Sequence, residues 1–122
     1  MQKVLWFSRH DMSEAQVQSL INKLGEIEMT KISATISNVH EAFTDDKKVE
    51  HPPLKEIIQQ HDVIAIVAPI GLQGQILKVS GDKPVIMVVN ARDFDENGKI
   101  SFRFVKWEQL HKIEVVKSDF AA

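Results

Sequence analysis

Residues Asp62–Gly71, DVIAIVAPIG, decide how the chain is read. Val63 to Ala68 is an unbroken apolar run, rich in β-branched side chains and bounded by Asp62 and Pro69. A strand with one wet face alternates; a strand covered on both faces has no need to. The run therefore reads as the central strand of a parallel sheet. It ends in Ala-Pro-Ile-Gly, a loop of small or stiff residues. Open α/β sheets bind their ligands beyond the carboxyl ends of such strands, so a ligand site is expected at this edge.

Upstream, Lys3–Ser8 (KVLWFS) is a second near-continuous apolar strand, followed by Arg9-His10-Asp11. Ser13-Glu14-Ala15-Gln16 has the S-x-x-Q form of a capping box. Val17, Leu20, Ile21 and Leu24 then fall on one helical face, and Gly25 suits the left-handed residue that ends a helix. Ile27 to about Thr35 reads as the next strand. Asn38 with Glu41 predicts a helix of a turn or two, and Thr44–Glu50 (TDDKKVE) a mobile polar loop. Pro52-Pro53 opens a helix with Leu54, Ile57, Ile58 and His61 on its inner face. His61 is read as a helix-end residue near the last carbonyls rather than as a ligand.

Downstream, Leu72–Ser80 reads as a third helix, ended by Gly81, with Gly71 and Gly74 permitting close backbone approach near its start. Pro84–Asn90 (PVIMVVN) is another buried strand, its proline placed first, where no ladder donor is lost. Asp95-Glu96-Asn97-Gly98 carries the Asn-Gly hairpin signal. Ile100, Phe102 and Phe104 alternate with Ser101, Arg103 and Val105, as in an antiparallel strand with one drier face. Trp107–His111 is expected as a short turn or helix, and Lys112–Lys117 as a last strand with Ile113 and Val115 on one side. Alternating strands and helices followed by a hairpin predict one α/β domain over residues 1–122. Its expected form is a Rossmann-like, three-layer, mostly parallel sheet with a C-terminal antiparallel extension.

The bulk numbers narrow the function classes. With 43% hydrophobic and 26% charged residues, the 122-residue chain has the make-up of an ordinary globular domain. A formal net charge of −2 gives no global pull toward duplex nucleic acid or an anionic membrane. The absence of cysteine excludes disulfides, thiolate zinc sites and thiol nucleophiles. The first ten residues hold too few consecutive apolar side chains for a signal peptide, and no apolar run approaches a membrane span. A cytoplasmic protein is expected. His40, His51, His61 and His111 lack metal-ligand spacing, so neither a metal nor a cofactor is expected.

Three constellations could carry chemistry at the carboxyl edge. Ser8-Arg9-His10 joins a hydroxyl, a fixed cation and an imidazole just before a helix N-terminus, which favours phosphate or carboxylate. Arg9 can hold a phosphate through two parallel hydrogen bonds, and His10 can exchange a proton near neutrality. The structural alternative is an Arg9–Asp11 pair with His10 bonded to a carbonyl. Gln73, after the central strand, can read a base or sugar or can remain a solvated first-turn residue. Asn90 and Arg92, after the next strand, can reach the same crevice, or Arg92 can pair with Asp93 or Asp95.

The opening KVLWFSRHDMSEAQ resembles small CRISPR-associated families of the CARF-related group, with an apolar strand, Ser-(Arg)-His, and a helix capped by Ser/Thr-x-x-Gln. VIAIVAPIGLQGQIL followed by KPVIMVVNARDF is similar in layout, although Ala68-Pro69-Ile70 stands where that group has a more polar, glycine-rich loop. The resemblance implies a homodimer that holds a cyclic oligoadenylate ring across its two-fold axis. If it cleaves, the ligand's own 2′-hydroxyl attacks the adjacent phosphate without a metal. His10 and Ser8 would then be catalytic, and Arg9, Gln73, Asn90 and Arg92 would bind the ligand. A sensor or sponge that binds without cutting is the alternative, and an interaction protein on the same scaffold is a third.

Overall fold

The computed structural model describes residues 1–114 and 116–121. In chain order its elements are β1 (Gln2–Phe7), α1 (Glu14–Leu24), β2 (Ile27–Ile32), β3 (Phe43–Thr44), β4 (Glu50–His51), α2 (Leu54–Gln59), β5 (Val63–Ile66), α3 (Ile70–Ser80), β6 (Val85–Phe94) and β7 (Ile100–Leu110). The main sheet runs β2-β1-β5-β6-β7, so the strand of the DVIAIVAPIG stretch is the middle one. The first four strands are parallel and β7 returns antiparallel to β6. This is the expected α/β sheet with a hairpin extension.

The unbroken apolar runs follow from two separate cores. Leu5 and Phe7 face one side, where α2 and α3 deliver Leu54, Ile57, Ile58, Leu72 and Ile76. Val4 and Trp6 face the other, with Leu20 of α1, Ile86 and Trp107. All four residues of β5 are buried, Ile64 and Ile66 in the first core and Val63 and Ala65 in the second. Each fully buried Ile or Leu is worth about 1.5–3 kcal/mol of transfer free energy. This is why a strand fed from both faces can discard polar alternation.

The α1 capping box is present in full: the Gln16 N–H donates to Ser13 Oγ at 3.2 Å, and the Ser13 N–H donates to Gln16 Oε1 at 2.9 Å. Gly25 ends the helix at φ +80°. At the end of α2, His61 is buried, with Nδ1 2.7 Å from the Ile57 carbonyl. Lys83 Nζ reaches the carbonyls of Ile58, Gln59 and His61 at 3.1, 2.7 and 2.6 Å. These groups close a helix end whose carbonyls have no partner of their own.

Several local expectations are corrected. Asn38–Glu41 is a turn, because Asn38 Oδ1 accepts the His40 N–H at 2.8 Å and so competes with helix formation. Thr44–Glu50 is ordered as a small hairpin, with Thr44 and Glu50 paired in β3 and β4 and the Asp45–Val49 turn gathered by Asp45. A Cβ added at Gly71 or Gly74 would meet nothing within 4 Å, so no close approach of a neighbouring strand requires glycine there. Trp107–His111 is no turn or helix: β7 continues through Leu110, because Trp107 packs edge-on against Trp6, with ring centroids 5.9 Å apart. Residues 112–114, 116 and 117 form no strand, and Val115 lies outside the described residues. Ile100 and Phe102 do not face a dry core; they stand on an exposed arm. Among the described residues no helix is long and apolar enough to cross a membrane.

Candidate functional site

The order β2-β1-β5 puts the second strand to one side of β1 and the central strand to the other. The connections part at that point, and a crevice opens above the carboxyl ends of β1 and β5. It is a cleft of about 270 Å³. Phe7, Ser8 and Arg9 line it after β1, Ala34, Thr35 and Ile36 after β2, and Val67, Pro69 and Leu72 around the start of α3. A groove of equal size lies between α1 and the base of the β6–β7 hairpin, bordered by Leu20, Leu24, Val63, Pro84, Ile86 and Trp107. That groove opens at the amino ends of β5 and β6, the wrong edge for a ligand of such a sheet.

The loop after β1 is built by its own hydrogen bonds. The Phe7 carbonyl accepts the Val67 N–H at 2.9 Å, and the Ser8 N–H donates to the Ile32 carbonyl at 3.1 Å. Ser8 is buried, and its Oγ accepts the His10 N–H at 3.1 Å. The His10 carbonyl accepts the Trp6 indole N–H at 2.7 Å. Both backbone polar groups of His10 are therefore pinned, while the residue as a whole is exposed.

Arg9 projects toward β2. It donates to Thr35 Oγ1, and its Nε lies 3.9 Å from Asp46 Oδ2. Asp46 is itself placed by Ser33, whose hydroxyl donates to its carboxylate at 2.6 Å. Asp11 pairs with Lys31 instead of Arg9, and that hydrogen bond and charge hold the Asp11 carboxyl below the usual carboxylate range. The guanidinium is 65% exposed, so the Asp46 pair is a weak tether that a better anion can displace.

α3 starts at Ile70 after Pro69 with no side-chain cap. Its first turn thus borders the cleft with backbone donors uncommitted to side chains, and it carries the positive end of the helix dipole. Gln73 shapes this turn: its Nε2 donates to the Ala68 carbonyl at 2.7 Å and its N–H to the Pro69 carbonyl at 3.0 Å.

Of the residues picked out in the sequence, the fold brings Ser8 and Arg9 into the cleft; His10 and Gln73 do not line it, His10 following in an exposed loop and Gln73 bonding the Ala68 carbonyl. Asn90 and Arg92 stand elsewhere. β6 pairs with β5 only at Val85 and Ile86 and then runs on alone with β7. Arg92 is therefore about 17 Å of strand past the end of β5, with its guanidinium 5.8 Å from the Phe102 ring centroid. Sequence reasoning missed Ser33, Thr35 and Asp46. The signal for the first two was available, because parallel neighbours end at one edge and residues after β2 must stand beside residues after β1. Nothing local marks Asp46.

Among the described residues no group of three or more His, Asp or Glu side chains is placed to hold a metal ion. Comparison with protein-family models, curated proteins and solved structures returns no match.

Proposed function

We propose that the cleft at the ends of β1 and β5 binds a nucleotide-class ligand through its phosphate, a cyclic oligonucleotide being the form that the sequence resemblance implies. One observation supports this most: Arg9 and the first turn of α3, which has no side-chain cap, border the same crevice at the switch point of the sheet. A phosphate can displace Asp46 and accept two parallel hydrogen bonds from the guanidinium. Phe7, Ile36, Val67 and Leu72 offer apolar walls for a base or sugar. The volume suits one nucleotide unit, so the rest of a ring would project into solvent or toward a second chain. A cytoplasmic location belongs to the same proposal.

Cleavage is the second reading, favoured by the double pinning of His10. A loop held at both the N–H and the carbonyl displays its imidazole from a fixed base. In-line attack by the ligand's 2′-hydroxyl forms a cyclic phosphate and releases the 5′-oxygen, and His10 would take or return the proton.

A panel of cyclic oligonucleotides screened by thermal shift tests binding. Ligand at a hundred times its dissociation constant adds about 2.7 kcal/mol to stability. Arg9→Ala is expected to weaken binding about tenfold or more, as loss of a charge-assisted pair should. No shift with any member of the panel overturns the proposal. Chromatography of the recovered ligand separates the readings: intact ligand means a binder, and products that disappear in His10→Ala mean cleavage. One ring per two chains in calorimetry supports a shared ligand; one per chain supports an independent cleft.

A further inference from the structure

Beyond its pairing with β5, the β6–β7 hairpin continues as a two-stranded arm about 27 Å long. The strand register gives the arm two unlike faces. Opposed residues share a face, so Arg92/Phe102 and Phe94/Ile100 stand on the side facing α1, while Asp93/Ser101 and Ala91/Arg103 stand on the other. The second face is polar and carries the Arg103–Asp93 ion pair at 3.2 Å. On the first, Phe94, Ile100 and Phe102 are 65%, 46% and 68% exposed. Two-stranded ribbons with a bare apolar face are marginal on their own. β7 is also the edge of the sheet, eleven residues long, with one side of its backbone unpaired in the single chain.

We propose that this edge pairs with the β7 edge of a second copy of the chain, antiparallel and centred on Trp107. Three observations select a copy of the same chain as the occupant. First, Lys106 and Glu108 flank Trp107 on one face and are both more than half exposed. Antiparallel pairing about Trp107 sets each lysine opposite the glutamate of the other copy, so the charge pattern complements itself.

Second, the two-fold axis keeps the α1 faces of both sheets on one side and reverses the strands. The Phe102 face of each arm then lies against the apolar groove that opens beside Trp107 and Gln109 at the base of β7 in the other copy. Third, residues 111–114 follow β7 without strand pairing, although Lys112-Ile113-Glu114 alternates as a strand does. In the pair they run along the outer edge of the other copy's arm, which supplies the missing neighbour. The edge lies three strands from β1, so both clefts stay open and the inference stands apart from their ligand.

Sedimentation equilibrium of the full chain over roughly 1–100 μM tests this, since a dimer of this kind is concentration-dependent. The wild type is expected to be dimeric. Glu108→Lys, which sets like charges opposite twice, should weaken the dimer about tenfold. The double swap Lys106→Glu with Glu108→Lys should restore it, a rescue that misfolding cannot imitate. Phe102→Ser should weaken it without changing the thermal melting of dilute protein. A wild type that is monomeric throughout, a dimer as tight in Glu108→Lys as in the wild type, or a swap that fails to rescue overturns the proposal.

Discussion

Two turns in this molecule are nearly the same object. In Asp45–Val49 the Asp45 side chain accepts the N–H groups of Lys47 and Val49 at 2.8 and 3.1 Å. In Asp95–Lys99 the Asp95 side chain accepts those of Asn97 and Lys99 at 2.9 and 2.8 Å. In both, the backbone N–H of the first residue donates to the carbonyl of the fifth, and the fourth residue has positive φ. That fourth residue is Gly98 at +77° in one turn and Lys48 at +65° in the other. The Asp95 turn caps the exposed arm. The Asp45 turn is anchored, because Asp45 also bonds His51 Nε2 at 2.7 Å, and its neighbour Asp46 ties to Ser33 and Arg9. An aspartate that gathers two amides is enough to close such a turn; glycine makes it cheaper and easier to recognise.

The two turns differ most at their aspartates. Asp45→Ala removes both turn amides and the histidine contact, and should lower the melting temperature more than Asp95→Ala, which is expected to cost about 1 kcal/mol. Equal losses would mean that His51 contributes nothing.

The Asp45 turn also responds to acid. The His51 hydrogen bond, then the Val49 amide, hold the Asp45 carboxyl below its ordinary range. A depressed carboxylate stabilises the fold fully above its unfolded value, about pH 4, and that contribution is lost as pH falls through the folded value. Acid unfolding followed by circular dichroism should therefore begin at a higher pH in Asp45→Asn than in the wild type; coincident acid limbs would remove Asp45 from the account.

The positive-φ residues have smaller effects. Gly98→Ala places a Cβ where an L-residue is strained and should cost about 1 kcal/mol. The smallest effect runs the other way: Lys48→Gly relieves that strain at the cost of a freer unfolded chain, for a net gain of about 0.5 kcal/mol in denaturant titration. A destabilised Lys48→Gly would show that the lysine side chain makes a contribution larger than its backbone strain.

This pair also shows what was legible in the sequence. The Asp95 turn is visible because Asn97-Gly98 advertises positive φ; the Asp45 turn is hidden because Lys47-Lys48 advertises only polarity. Elsewhere, signals confined to neighbouring residues read well. The Ser13/Gln16 box, the both-faced apolar runs of β1 and β5, and Gly25 and Gly81 all act through adjacent positions. What escaped depended on distant partners. Trp107 continues a strand because Trp6 waits for it, and Asn38 serves its own turn instead of a helix. At the candidate site, Ser8 and Arg9 stand out as a polar step after an apolar strand. Arg9's partners Thr35 and Asp46 come from two later segments and cannot be seen until β2 lies beside β1. Arg92, open in the sequence between the crevice and a hairpin-edge pair, stands away from the crevice because β6 runs on past its last β5 neighbour, and strand length of that kind leaves no mark in composition.

The division of β1 between two cores has a consequence for insertions and deletions. Losing one residue there would exchange the side chains meant for α1 with those meant for α2 and α3, and both layers would fail together. The arm past Ile86 escapes that constraint, since it lengthens or shortens by two residues per strand while keeping its faces. Length variation in descendants of this chain should gather in the arm and be absent from the first seven residues.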